Sequence, residues 1–306
     1  MIADAIPSSS TLDRERSERM AALMRGSSLE VSPRDHAALD GLPDTLEPDA
    51  AVYINHAAGD SHHAIVAAAA RLRRAGFQPV PHVAARRLAS FTQLKDFLAR
   101  ARGEADVEAA LVIAGDADTP AGPFHDCLAI LQTGLLQQHG VRRIGIAGYA
   151  EGHPKIAAPT LDAALRAKLA LAHRSGLAPF IVTQFCFEAA PILDWVRRLG
   201  EEGFDVPVRI GLAGPASVAS LAKFAIRCGI GNSIRSLVGR QPAIARLVAE
   251  AGPEPVIAAL AAARRPAMVD GLHFFTFGGT VRTAAWRRQR IDSGFAQAPR
   301  SFDPDR

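Results

Sequence analysis

Cysteine is scarce in this chain. Its 306 residues include three, Cys127, Cys186 and Cys228, widely spaced and without a C-x-x-C pair. An odd, scattered set does not staple a small secreted fold, and it predicts a reducing compartment. Long apolar runs are missing too. The greasiest stretches, such as residues 64–70, fall far short of the ~20 residues that span a bilayer. No apolar stretch of signal-peptide length follows a basic start, so a cytoplasmic protein with no membrane partner is expected. Nor is there an excess of one charge. Lys+Arg 35 against Asp+Glu 31 leaves a net charge of +4, too balanced to imply a nucleic-acid partner. Internal repeats, low-complexity tracts and linker-like shifts in composition are absent, and a homo-oligomer stays open.

What the chain does have is an ordinary globular balance, 48% hydrophobic and 22% charged, at a length sufficient for a core without disulfides or metal. From Ser28 onward, short apolar runs alternate with Ala/Leu/Arg segments of helical period. Strands are expected at Ser28–Val31, Ala51–Asn55, Gln78–Val83, Ala109–Ala114, Arg143–Ala147, Phe180–Gln184, Val208–Leu212 and Gly271–Phe275. Helices are expected at Ser61–Ala75, Phe91–Arg102, Asp126–Gln138, Thr160–Arg174, Pro191–Glu202, Ala216–Cys228, within Pro242–Arg264, and at Val281–Arg290. Strands apolar on both faces and separated by helices predict parallel βαβ pairing. Eight such units are the count of an α/β (β/α)8 TIM barrel in a single domain. A doubly wound sheet would show a Gly-rich turn after its first strand, and Glu30-Val31-Ser32-Pro33 is not one. Residues 1–25 read as an N-terminal arm or short helix, and residues 26–306 as the barrel.

Barrel chemistry sits where strands end. Those ends carry Glu30, His82, Gly115-Asp116, the run from Gly148-Tyr149 through Glu151 to His153-Pro154, Thr183-Gln184, and His273 through Gly279. Polar groups repeated at one end of apolar strands predict a single mouth for a large polar ligand. Individually these residues have plainer uses. Glu30 could pair with a rim arginine, Asp116 could form an Asx-turn, and His82 and His153 could be satisfied core or capping histidines.

Several segments resemble the methylenetetrahydrofolate reductase family. Residues 145–154, Gly-Ile-Ala-Gly-Tyr-Ala-Glu-Gly-His-Pro, are similar to its G-Y-P-E-x-H-P, and residues 181–188, Ile-Val-Thr-Gln-Phe-Cys-Phe-Glu, to its I-T-Q-F-F-F-D. Residues 28–33 resemble S-F-E-F-F-P-P, Ala114-Gly115-Asp116 its R-G-D, and His273 to Phe277 its H-F-Y-T-L. They occur in family order along nearly the whole chain after residue 26. The length is that of the bare catalytic barrel.

The resemblance implies an FAD-dependent oxidoreductase that interconverts 5,10-methylenetetrahydrofolate and 5-methyltetrahydrofolate, with NADH or NADPH as hydride partner. It makes Glu30 the general acid that protonates N10 and opens the imidazolidine ring, with a pKa raised by burial. Asp116 would lie by the flavin N1–C2 carbonyl and the pterin, and Gln184 would hold the pterin edge. His82, Gly115, Tyr149, His153, Asp162 and Lys168 match flavin-holding positions. Phe224 and Phe275 match the folate or nicotinamide wall. The chain departs from the pattern at Ala114, usually Arg on the flavin phosphate, and at Phe275 and Gly278-Gly279, usually Tyr and Asn-Arg. Two other readings remain at this point. One is a flavin-free folate-binding or partner protein derived from the reductase. The other is a metal-dependent barrel hydrolase using His82, Asp116, His153 and His273, although the His-x-His common on strand one of such barrels is absent.

Overall fold

Eight parallel strands close on themselves in chain order: β1 (Ser28–Val31), β2 (Ala51–Ile54), β3 (Gln78–Ala84), β4 (Ala109–Ile113), β5 (Arg143–Gly148), β6 (Ala178–Thr183), β7 (Val208–Ala213) and β8 (Val269–Phe275). The computed structural model describes residues 9–153, 155–217, 219–221, 224, 252–263 and 268–293. β8 returns to β1 with Ser28 opposite His273 and Leu29 opposite Phe274, which completes a (β/α)8 barrel in one domain. All eight expected strands form, within two residues at each end. No described helix is long and apolar enough to cross a membrane.

The helices are α1 (Ser9–Arg25), α2 (His36–Gly41), α3 (His62–Arg74), α4 (Phe91–Ala105), α5 (Cys127–Leu131), α6 (Leu135–Gln138), α7 (Ala158–Arg174), α8 (Ala189–Glu201), α9 (Glu254–Ala262) and α10 (Thr280–Ser293). Several start where a short polar side chain accepts from an otherwise orphaned amide. Ser61 accepts from Ala64, Ser90 from Gln93 and Asp126 from Ala129, each at 3.0–3.1 Å. The single helix expected over Asp126–Gln138 is broken in two. Thr133 donates its hydroxyl to Ile130 O at 2.7 Å and accepts from Leu135 N, and Gly134 turns through φ +68°. A threonine bonding locally followed by a glycine in the left-handed region stops the ladder, and apolar periodicity alone does not register this. The expected helix over Ala216–Cys228 falls largely outside the described residues; within Pro242–Arg264, the described residues 252–263 hold α9, and the rest lies outside them.

The pleat sends alternate side chains to opposite sides of each strand. Leu29, Val31, Val52, Ile54, Ile144, Ile146, Ile210, Leu272 and Phe274 join the helices in one large buried shell. A smaller cluster of Tyr53, Val80, Leu111, Phe180 and Val182 is separate from that shell. Near it the barrel is tightly filled: a Cβ on Gly145 would lie 2.7 Å from Leu111 Cδ1 and 2.9 Å from Phe180 Cε2. α1 packs on α9 and α10 and buries Met20, Leu23 and Met24.

Candidate active site

Glu30, near the C-terminal end of β1, is 8% exposed and has a histidine on either side. Its Oε1 lies 3.3 Å from His273 Nε2 and 3.4 Å from His82 Nε2. His273 is anchored from behind, with Nδ1 2.9 Å from Ser28 Oγ. A carboxylate at Glu30 calls for a proton on His273 Nε2, so Ser28 donates to Nδ1 and selects that tautomer. Tyr53 closes the other side, its ring 4.5 Å from that of His273 and 6.2 Å from that of His82. Thr276 donates its hydroxyl to Glu30 O at 3.1 Å and ties the β8 loop to β1. Register explains the convergence, because Ser28 and His273 are Cα partners and Glu30 follows Ser28 by one pleat repeat.

Burial works against charge at both ends of the Glu30–His82 pair. It pushes the Glu30 carboxyl up, but the charge of His82 and the hydrogen bond and charge of His273 outweigh it and hold Glu30 below the usual carboxylate range. At His82 burial prevails over the attraction of Glu30, and the imidazole is pushed down. The raised pKa expected for Glu30 is therefore not what the resting site provides. Two ring nitrogens aimed at one carboxylate stabilise its charge. Glu30 meets histidines, not a rim arginine.

The remaining predicted residues are distributed around this centre. Asp116 is paired with Arg87, which follows β3 in a single 3-10 turn, and Gly115 before it has φ +89°. Tyr149 and His153 share the loop after β5, their rings edge to face at 5.4 Å. The His153 imidazole is pushed down by partial burial and by Lys155, and its Nδ1 accepts from Lys155 N at 3.2 Å. Asp162 is exposed in the second turn of α7. Lys168, half-buried farther along that helix, is close enough to Cys127 to act on its thiol. Gln184 turns its side-chain oxygen back onto Phe185 N at 3.1 Å, which occupies one of its two acceptor positions and leaves the amide NH2 for a ligand. Phe275 packs edge-on to His273 at 5.0 Å and against Phe185 at 5.6 Å, while Phe224 stacks on Phe277 at 4.3 Å. Together they make an aromatic wall beside Glu30.

Sequence reasoning passed over Ser28, Tyr53, His56 and Arg87. Ser28 could have been found from the i, i+2 spacing to Glu30. Arg87 is one of two adjacent arginines, and nothing local marks which of them meets Asp116. Three buried polar atoms at the ends of β2 and β3 lack a hydrogen-bond partner among the described residues, Asn55 Oδ1, His56 Nδ1 and Arg87 Nε, and His82 Nε2 has only its 3.4 Å approach to Glu30. Burying polar groups without partners is costly, so their concentration at one mouth fits a polar ligand seated there. The four residues named for a metal reading do not gather as ligands. Among the described residues, the His, Cys, Asp and Glu atoms that come within 4.8 Å of one another in a group of three belong to His62, His63 and Asp96, at the start of α3 and on α4.

A closed parallel barrel with a buried acid at the strand ends defines the class, a (β/α)8 barrel with a polar, aromatic-walled mouth. No family model matches the chain. Among solved structures it is similar to a Clostridium thermocellum protein that binds two copies of 5-methyl-5,6,7,8-tetrahydrofolic acid, at 10% identity, 89% of this chain, 96% of that one and TM-score 0.56. It also matches dihydropteroate synthase from Thermus thermophilus, at 14% identity, 89% and 93% coverage and TM-score 0.46. A third match is deoxyribose phosphate aldolase from Aeropyrum pernix, at 10% identity, 91% and 97% coverage and TM-score 0.44. At these identities the likeness is one of fold.

Proposed function

We propose that the mouth binds a reduced folate and that the protein is an FAD-dependent oxidoreductase interconverting 5,10-methylenetetrahydrofolate and 5-methyltetrahydrofolate with NADH or NADPH. The observation that carries this reading is the buried Glu30 between His82 and His273, beside an aromatic wall and the unsatisfied polar atoms at the ends of β2 and β3. The barrel that binds 5-methyltetrahydrofolate supports the folate part. The family resemblance supports the flavin and the hydride chemistry.

The residues present fit a flavin. Arg87 keeps an unsatisfied Nε at the mouth, beside its pairing with Asp116. His82, Gly115, Asp116, Tyr149, His153, Asp162 and Lys168 would hold it, with Arg87 in place of the arginine that the chain lacks at Ala114. When bound, the flavin supplies and accepts the hydride.

Glu30 handles the proton. Ring opening of the methylene folate needs a proton on N10, and Glu30 delivers it once bound substrate offsets the two histidines that hold its carboxyl low. Folate filling the mouth excludes water, which raises the carboxyl and gives it acid capacity as substrate arrives. Ser28 keeps His273 donating to Glu30 throughout. Phe275 and Phe277 offer flat surfaces to the pterin or the nicotinamide, and the Gln184 NH2 offers the pterin a donor.

Glu30→Gln keeps the shape and removes the proton. Anaerobic stopped-flow at the flavin absorbance separates the two half-reactions. Flavin reduction by the nicotinamide should survive within about tenfold, while reoxidation by methylenetetrahydrofolate should slow by roughly 10²–10⁴. Equal losses in both would refute the acid role. A flavin-free folate-binding protein is the second reading, favoured by Ala114, and a colourless purified protein that still binds 5-methyltetrahydrofolate would establish it.

A further inference from the structure

A second recess lies at the opposite end of the barrel, where strands begin. It is a cavity of about 410 Å³ walled by the starts of β2 to β7 and by Arg25-Gly26-Ser27 at the end of α1. Its size falls in the ordinary range of small-molecule pockets, and it is not the folate mouth. This face of a barrel serves stability, and its lowest interior layer is normally filled by branched apolar side chains. Here arginines stand at the first position of β5 and the second of β7 instead, Arg143 and Arg209, each two residues before a glycine. The Arg209 side chain is largely enclosed, while Arg143 stands at the open rim of the cavity.

The two arginines differ in how they are held. Arg209 is fixed, donating to Gly26 O at 3.0 Å and pairing with Asp270 at 3.1 Å. The Arg143 guanidinium lies over the Phe180 ring at 5.4 Å and has no hydrogen bond or ion pair among the described residues. Tyr53 is 2% exposed and lines the same cavity, and its hydroxyl has no partner among the described residues either. Both arginines are near enough to act on that phenol, although burial dominates and pushes it up to about 12. The acids of the lining are committed elsewhere. Glu47 pairs with Arg287 at 2.8 Å, Glu108 with Arg102 at 3.2 Å, and Asp49 accepts from Gln78 at 3.2 Å. Phe180, Val80, Ala51 and Ala109 supply apolar surface beside the cations.

A cationic wall, an unpartnered hydroxyl and an apolar floor call for an amphipathic anion. We propose that the cavity is a second ligand site for a small organic carboxylate with a compact apolar or aromatic body. The carboxylate meets Arg143 and Arg209 and takes the Tyr53 hydroxyl as a donor. The body lies on Phe180 and Val80. The site is independent of the folate reading and stands whether or not the mouth binds flavin.

Benzoate is the probe, titrated into the full chain by isothermal calorimetry, with benzamide and inorganic phosphate in parallel. Benzoate should bind one site, and Arg143→Gln should weaken it at least about tenfold, the usual effect of losing a charge-assisted contact. Arg143→Lys should recover part of the loss. Benzamide, of the same shape but neutral, should bind at least about tenfold more weakly than benzoate. Arg143 is exposed, so its variants keep the fold, which circular dichroism checks. Tyr53→Phe should weaken benzoate less than Arg143→Gln does. No benzoate binding, or binding unchanged in Arg143→Gln, overturns the proposal. Phosphate binding as tightly as benzoate overturns the part assigned to the apolar floor.

Discussion

Acidification should destabilise this protein well above the range in which its carboxylates titrate, and His56 is the principal reason. His56 follows β2 at the mouth, is 8% exposed, and lies edge-on to Phe97 with ring centroids 6.4 Å apart. Burial lowers its pKa from 6.5 to about 4; Arg87, His82 and His62 push the same way, and Asp60 opposes them. Between these two values the unfolded chain binds a proton at this position and the folded chain does not. Stability therefore falls as pH drops through this window and is flat above it. A fall from 6.5 to about 4, at about 1.4 kcal/mol for each pH unit, amounts to about 3 kcal/mol, of which about 2 kcal/mol is lost by pH 5. That is a large share of the roughly 5–15 kcal/mol of a folded domain. His82, also pushed down, adds a loss of the same sign. Glu30, held low, withdraws its own contribution only below the ordinary carboxylate range. Urea unfolding at pH 7.5, 6 and 5, followed by the fluorescence of Trp195 and Trp286, measures the slope. In His56→Gln the loss between pH 7.5 and 5 should shrink by about 2 kcal/mol. An unchanged slope in that variant would refute the reasoning.

Two further predictions concern packing. Gly145→Val should cost about 1–3 kcal/mol or more, because its Cβ would come within 2.7 Å of Leu111 and 2.9 Å of Phe180 inside the barrel; unfolding midpoints in urea check this. Arg287→Ala should destabilise by about 2–4 kcal/mol, read as a lower thermal midpoint. The fully buried guanidinium bonds Ser27 Oγ at 2.7 Å and Arg25 O at 2.9 Å, pairs with Glu47, and joins α10 to the start of β1.

Much of the fold was legible without coordinates, because the information that specifies it is local. Runs such as Ala109–Ile113 and Arg143–Gly148 are apolar on both faces, which a parallel sheet covered by helices requires, and their spacing leaves room for one helix between them. Ser61, Ser90 and Asp126 mark helix starts within their own segments. Glu30 and His82 could be placed at one mouth because both sit near the C-terminal ends of strands, where a barrel collects its polar groups.

What the tertiary structure alone decided is which groups meet and with what charge. His273 stands beside Glu30 because β8 closes on β1, a contact between residues 243 positions apart that no spacing rule encodes. The sign of the Glu30 shift depends on that closure. Burial by itself would raise the carboxyl, and two imidazoles brought from β3 and β8 reverse the outcome. Arg87 rather than its neighbour meets Asp116 because a single turn of 3-10 helix aims it there. The cavity beneath the barrel is likewise a product of closure. Arg143 and Arg209 read as ordinary residues near strand starts until the ring of strands brings both to the wall of one cavity.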